Sequence, residues 1–98
     1  MRTIRQTPTF SDWLKGLRDQ VARRQVVKRL ARIASIDHFG DFASVGDEVS
    51  ELRIHVGPGY RVYYTLRGEE LVILLCGGTK GDQERDIRRA KEMAAQIE

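Results

Sequence analysis

The amino-acid sequence predicts an α+β domain in which helices pack on one face of a small antiparallel β-sheet. Three observations support this prediction. Helical periodicity fills much of the first 35 residues, three short strand-like segments separated by turns follow from residue 49, and an amphipathic segment closes the chain. Helices beside an antiparallel meander are typical of this class. The predicted order of elements is β-α-α-β-β-β-α.

The three predicted helices are read from their caps and apolar faces. Ser11 is a suitable N-cap for the first helix, which follows a proline. The second helix is predicted over residues 19–35, and the third from about Asp82, where acids precede bases as the helix dipole favours. The predicted apolar face of the second helix consists of Val27, Leu30, Ala31 and Ala34.

The strands are predicted from alternation and turn residues. Residues 2–6 alternate weakly, whereas residues 49–56 and 60–66 alternate clearly and are joined by a Gly-Pro-Gly turn. Residues 71–76 are apolar throughout and predict a strand buried on both faces, which ends at the following glycine pair. Residues 36–48 break every periodicity, so a loop is predicted there.

Length and composition exclude several classes of protein. The 98 residues predict a single domain over 1–98, and 41% hydrophobic with 32% charged residues is typical of a folded chain. The longest apolar run is far shorter than the about 20 residues that cross a bilayer, and no secretory leader pattern opens the chain. Cys76 is the single cysteine, so no internal disulfide forms. We therefore expect a cytoplasmic protein without membrane association, and no structural zinc site.

Positive charge is concentrated at the start of the chain. Residues 1–35 hold nine Lys/Arg and two acids, whereas residues 36–98 hold eight Lys/Arg and twelve acids. Such asymmetry indicates either a face for an anionic partner, most commonly nucleic acid, or simply a solvated helix face. The basic stripe, which we define as Arg24, Lys28 and Arg32, follows i, i+4, i+8 spacing and is the predicted RNA-binding surface.

Alternation also places polar side chains together on the sheet face opposite the predicted core. Arg53 and His55 share this face on one strand, and Arg61 and Tyr63 share it on the next strand. Lys80 follows the third meander strand and can reach the same surface. We predict these five residues as the candidate catalytic set.

These residue types suit the cleavage of an RNA phosphodiester. A base must take the proton of the 2′-hydroxyl, cations must stabilise the phosphorane, and an acid must protonate the leaving 5′-oxygen. Arginine binds phosphate, histidine titrates near neutral pH, and tyrosine stacks on unpaired bases. This chemistry requires no metal ion, and no cofactor is predicted. Ordinary structural explanations also exist: ion pairing for Arg53, surface exposure for His55 and Lys80, and cross-strand packing for Tyr63.

Three motifs resemble the toxins of type II toxin–antitoxin modules. They are Glu-Leu-Arg-Ile at residues 51–54, Gly-Pro-Gly-Tyr-Arg-Val-Tyr-Tyr at residues 57–64, and Leu-Leu-Cys-Gly-Gly-Thr-Lys at residues 74–80. The family is the RelE/ParE superfamily, and the branch it resembles most is that of the HigB-like addiction module killer proteins. The resemblance covers nearly the whole chain and implies a compact sheet with helices on one side.

The resemblance also implies a function and partners. Similar toxins are held inactive by a co-encoded antitoxin, often with a helix-turn-helix domain that links the pair to operator DNA. RelE-like members cut mRNA in the ribosomal A site without a metal ion. The family's basic positions fall on Arg53, His55, Arg61 and Lys80, which implies Lys80 or His55 as base and the arginines as phosphorane stabilisers. In this hypothesis we expect Tyr63 to stack on a base or to donate a proton.

Two features depart from the family pattern, and two other functions stay open. Ile87 stands where many RelE-type nucleases carry a tyrosine, and His55 replaces a usual lysine. ParE-like members share the Gly-Tyr-Arg segment but inhibit DNA gyrase without enzymatic activity. A degenerate toxin that only binds its antitoxin is the other alternative.

Overall fold

The computed structural model describes residues 1–97 and consists of one five-stranded sheet with three helices. The sheet order is β1-β5-β4-β3-β2; β1 runs parallel to β5, and the other neighbouring strands are antiparallel. The elements are β1 (Thr3–Gln6), α1 (Pro8–Gly16), α2 (Gln20–Ile36), β2 (Phe42–Gly46), β3 (Val49–Ile54), β4 (Tyr60–Arg67), β5 (Leu71–Thr79), a 3-10 turn (Lys80–Asp82) and α3 (Gln83–Gln96). The predicted α+β class is confirmed. The sheet is mixed instead of purely antiparallel, because the two helices after β1 carry the chain away before β5 pairs beside it.

An additional strand lies where the sequence predicts a loop. Residues Phe42–Gly46 form the edge strand β2, which pairs with β3 through a tight turn at Asp47 and Glu48. Both turn residues have positive φ angles, 53° and 63°, the left-handed conformation that twisted two-residue hairpins require. Glycine and aspartate are uncommon in strands. Because both are frequent over residues 36–48, the sequence pattern predicts a loop instead of this short hairpin.

The helices cover both faces of the sheet, which corrects the expectation of helices on one face. The first core, which lies under α1 and α2, includes Phe10, Val26, Ile33, Leu52, Val62 and Leu74. The second core, which lies under α3, includes Val49, Tyr63, Ile73, Leu75, Ala90 and Ala94. Because β5 is apolar on both sides, both of its faces need a covering layer, and α3 supplies the second one.

The caps and buried faces of the first two helices differ in part from the predicted ones. Thr7, not Ser11, caps α1 by accepting a hydrogen bond from the Phe10 amide at 3.0 Å. Asp19 caps α2 as the predicted boundary implies. The buried face of α2 is Ala22, Val26, Leu30 and Ile33. Val27 is exposed, because the buried face is rotated by one residue and carries Val26 and Ile33 in place of Val27 and Ala34.

Strand β5 continues through Gly77 and Gly78 instead of ending at them. The Trp13 ring from α1 packs directly on Gly77, and the Asp86 carboxylate from α3 packs on Gly78 from the other side of the sheet. A side chain at either position would collide with these groups, so both glycines are required by close packing. None of the helices described over residues 1–97 is long and apolar enough to cross a membrane.

Candidate functional site

Two predicted site residues stand side by side across neighbouring strands. Arg53 on β3 is the direct pairing partner of Arg61 on β4, and Arg61 in turn pairs with Gly78 on β5. We call Arg53 and Arg61 the arginine pair. Both side chains lie on the sheet face that carries α3, near the N-terminal end of that helix. The meander therefore brings together two guanidinium groups, as alternation predicts.

A buried carboxylate holds the arginine pair. The Glu51 side chain is 1% exposed, and its Oε2 atom accepts a hydrogen bond from Arg53 Nε at 2.8 Å. Arg61 Nε lies 3.6 Å from the same oxygen, and Gln83 Nε2 donates to the other carboxylate oxygen at 3.0 Å. The bond to Glu51 raises the pKa of Arg53. Glu51 thus compensates the like charges: it holds Arg53 by a hydrogen bond and lies within ion-pair distance of Arg61.

His55 extends the site past Arg53. Its imidazole is 69% exposed, and Nε2 lies 2.6 Å from Oδ2 of Asp41. The other Asp41 carboxylate oxygen lies 3.8 Å from a terminal guanidinium nitrogen of Arg53. The His55 hydrogen bond, together with the charge of Arg53, lowers the pKa of Asp41. Sequence reasoning misses Asp41 because it lies in the predicted loop; recognition of β2 would have placed it beside β3.

Lys80 lies on the opposite side of the arginine pair from His55. Its side chain is exposed directly after β5, while its backbone N–H donates to the Gly59 carbonyl at 2.9 Å. A shallow pocket of about 410 Å³ lies beside it and is lined by Lys80, Gly81, Gln83, Glu84 and Ile87. Gln83 lines this pocket and also binds Glu51, so Lys80 lies next to the strands that carry the arginine pair.

Tyr63 does not lie on an open surface. The α3 helix covers it, its exposure is 0%, and its hydroxyl has no hydrogen-bond partner within the part of the chain that the structure describes. Burial and the nearby Glu51 carboxylate raise its pKa. The expected placement of Tyr63 is therefore corrected: alternation identifies the face correctly, but this part of the face belongs to the second core.

The basic stripe is exposed but lies away from the arginine pair. Arg24, Lys28 and Arg32 project from α2, which packs on the other face of the sheet. The intervening residue Arg29 has a structural role instead: its guanidinium donates to the carbonyls of Arg53, Phe39 and Asp41 at 2.7–2.9 Å. The stripe and the arginine pair are thus two separate cationic surfaces.

The arrangement is suited to an extended anion. Two fixed guanidiniums offer donors to phosphate oxygens, and an imidazole and an ammonium flank them as groups that can exchange protons. Among residues 1–97, no group of three or more histidine, cysteine, aspartate or glutamate side chains is arranged to hold a metal ion.

Comparisons with known proteins agree with this fold. Residues 12–96 match the family described as phage derived protein Gp49-like (DUF891). An uncharacterized protein of Haemophilus influenzae is 44% identical over 94 residues, which is 96% of this chain and 94% of the relative.

Two solved structures are similar in fold. A double-mutant form of the Escherichia coli toxin RelE in the free state has a TM-score of 0.72 at 15% identity, covering 99% of this chain and 98% of that one. A chain of the intact E. coli RelBE toxin–antitoxin complex has a TM-score of 0.64 at 16% identity, covering 81% of this chain and 96% of that one. The chain therefore belongs to the phage-derived Gp49-like family (DUF891), and it shares its fold with the toxin RelE.

Proposed function

We propose that this protein is the toxin of a type II toxin–antitoxin module and that it cleaves mRNA on the ribosome without a metal ion. The observation that supports this most directly is the arginine pair on its buried Glu51 anchor, with His55 and Lys80 on either side. Two guanidiniums held at neighbouring strand positions match a phosphate that gains negative charge as it becomes a phosphorane.

The roles follow from position and chemistry. Arg53 binds the scissile phosphate, and Arg61, which is only 6% exposed, adds positive charge beneath it that helps to stabilise the phosphorane. His55 takes the proton of the attacking 2′-hydroxyl, and the Lys80 ammonium donates a proton to the leaving 5′-oxygen. Tyr63 leaves the catalytic set, because a hydroxyl buried beneath α3 has no route to the substrate.

The anchoring by Glu51 makes the phosphate site preorganised. A flexible arginine loses side-chain conformational freedom when it binds phosphate, whereas Arg53 is already held by its hydrogen bond to Glu51 and Arg61 by its burial. Arg61 is only 6% exposed, so it contributes charge close to the sheet, and the half-buried Arg53 presents the more accessible guanidinium.

The basic stripe has a different role in this proposal. Because α2 packs on the other face of the sheet, Arg24, Lys28 and Arg32 contact ribosomal RNA while the arginine pair faces the mRNA. Contacts of this kind to phosphates give affinity without sequence preference and weaken as salt rises.

The partner that controls this toxin is a co-encoded antitoxin. The fold matches a chain of the RelBE toxin–antitoxin complex, which supports such a partner. We propose that the antitoxin carries a helix-turn-helix domain, as in the HigB-like branch, and that the toxin reaches operator DNA only through it.

Primer extension on a defined mRNA tests the proposed function. The purified chain is incubated with the mRNA in EDTA, with and without translating ribosomes. Discrete cuts that require ribosomes are the expected result. Cuts without ribosomes would support the nuclease activity and contradict its dependence on ribosomes. Intact mRNA would contradict the nuclease; growth arrest with accumulated gyrase–DNA complexes would then identify the ParE-like activity, and absence of growth arrest would identify a degenerate toxin.

A further inference from the structure

Asp41 is fixed at the end of the candidate site by several independent contacts. Its backbone carbonyl accepts hydrogen bonds from the Arg53 amide at 2.9 Å and from the Arg29 guanidinium at 2.9 Å. Its carboxylate contacts His55 through one oxygen and Arg53 through the other. Asp41 is therefore held by Arg29 of α2, by Arg53 of β3 and by His55 just after β3, although its own side chain is 44% exposed.

His55, by contrast, has a single hydrogen bond within residues 1–97. With 69% of its side chain exposed, an imidazole at this position samples several rotamers unless a partner orients it. The contact to Asp41 at 2.6 Å selects one of them. The orientation of the His55 ring thus depends on Asp41.

The charge state of Asp41 also determines the proton arrangement on the ring. An ionised carboxylate only accepts hydrogen bonds, so the nitrogen that faces it, Nε2, carries the proton in neutral His55. Nδ1 then carries the lone pair and points away from Asp41. A base needs such a free nitrogen directed at the substrate.

We propose that Asp41 is a positioning residue for the cleavage reaction, which holds His55 in the Nε2–H tautomer so that Nδ1 accepts the proton of the 2′-hydroxyl. This inference rests on the proposed function. It assigns to Asp41 no contact with the RNA. The carboxylate acts through the imidazole and stabilises the imidazolium that forms during the reaction, whereas its contact to Arg53 is long, at 3.8 Å, and Glu51 already holds that guanidinium.

The chemical step balances within the residues already assigned. The 2′-oxygen forms a bond to phosphorus as its proton moves to His55 Nδ1, and the phosphorus–O5′ bond breaks as O5′ receives a proton from the Lys80 ammonium. The products are a 2′,3′-cyclic phosphate and a 5′-hydroxyl. Water then returns the enzyme to its starting protonation, with one proton leaving His55 and one returning to Lys80.

The Asp41→Asn substitution tests this inference, because asparagine keeps the backbone contacts and the shape while it removes the negative charge. Asp47→Asn is the matched control, since Asp47 is an exposed aspartate of the β2–β3 turn that pairs with Lys91, away from the candidate site. We expect Asp41→Asn to lower kcat for ribosome-bound mRNA by about 10-fold or more with KM within about twofold, and Asp47→Asn to change neither.

A double-mutant cycle separates positioning from a structural effect. In a His55→Ala background the Asp41→Asn change should cost no further activity, because the group through which Asp41 acts is gone. An equal loss in both backgrounds, or unchanged kcat in Asp41→Asn alone, would overturn the inference. Thermal melting of each variant shows whether the fold is intact.

Nitrogen chemical shifts of the two histidines provide a readout independent of activity. At a pH where the imidazole is neutral, His55 should report the Nε2–H tautomer in the unmodified chain and a mixture in Asp41→Asn, while His38 stays constant. A mixture in the unmodified chain overturns the positioning role. If mRNA stays intact while His55 shows the single tautomer, the proposed nuclease function fails and the pairing stands.

Discussion

Arg53 and Arg61 are direct pairing partners on β3 and β4, and the buried carboxylate of Glu51 contacts both of their guanidiniums. Like charges that stand opposite each other in a sheet destabilise it. The chain nevertheless holds two cations at this position, and the nearly inaccessible Glu51 carboxylate compensates their positive charge. A local arrangement that lowers stability in this way is typical of functional sites.

Removal of the Glu51 carboxylate should destabilise the fold strongly. Glu51→Ala leaves two guanidiniums and the Gln83 amide without their shared partner, so we expect a loss of about 3–5 kcal/mol in the free energy of unfolding. Urea unfolding measures this loss. Glu69→Ala, at an exposed turn position, is the control and should change stability by less than about 0.5 kcal/mol. A Glu51→Ala chain as stable as this control would contradict the anchoring role.

Gly77 and Gly78 should not tolerate alanine. A methyl group at Gly77 collides with the Trp13 ring, and one at Gly78 collides with the Asp86 carboxylate, so each substitution should cost about 1–3 kcal/mol. Gly16→Ala is the matched control, because the added methyl group there meets no atom within 4 Å in the described part of the chain. Denaturant midpoints for the three variants test this. Equal midpoints for Gly78→Ala and Gly16→Ala would show that the α3 face does not pack as described.

The basic stripe should influence binding without affecting the chemical step. Replacing Arg24, Lys28 and Arg32 together with alanine should weaken ribosome binding. The slope of the logarithm of the binding constant against the logarithm of the salt concentration, the salt slope, should become shallower by about one for each phosphate that is no longer neutralised. At saturating ribosomes the cleavage rate should remain unchanged, since the stripe and the arginine pair lie on opposite sheet faces. Arg88→Ala, an exposed arginine on α3, serves as the control. An unchanged salt slope in the triple variant would show that the basic stripe does not contact the ribosome.

The Cys76 thiol should be protected until the protein unfolds. Cys76 is 1% exposed, and burial followed by the Asp86 carboxylate raises its pKa to about 11 from an ordinary value of 9.0. Stability from this group is therefore present below pH 9 and is lost as the pH rises towards 11. Thiol labelling at pH 8 should be slow in buffer and fast in denaturant. The free energy of unfolding measured between these pH values should decline less steeply for Cys76→Ala, and identical slopes would contradict the assignment.

Local patterns were sufficient for the parts of the site that lie close together in sequence. Arg53 and Arg61 belong to strands joined by a short turn, so alternation alone places them on one face and next to each other. The same argument fails for Asp41, since it becomes a neighbour of Arg53 only through β2, and the glycines and aspartates in and around that strand resemble a loop.

The position of α3 was the decisive fact that the sequence could not supply. Its single apolar stripe requires a surface to cover, but periodicity does not indicate which sheet face that surface is. Packing on the second face buries Tyr63 and leaves the arginine pair at the end of the helix. A residue can therefore be assigned to the correct face by alternation and still be inaccessible to any substrate.

The role of the arginine pair can be measured by single-turnover cleavage of ribosome-bound mRNA in EDTA. The unmodified chain is compared with Arg53→Ala, Arg61→Ala and Arg88→Ala. We expect each arginine-pair variant to lose activity by about 100-fold or more, because a charge partner of the transition state is lost, and to keep a cooperative unfolding transition. Arg88→Ala should cleave like the unmodified chain. Full activity in folded Arg53→Ala and Arg61→Ala chains would contradict the claim that the arginine pair stabilises the phosphorane.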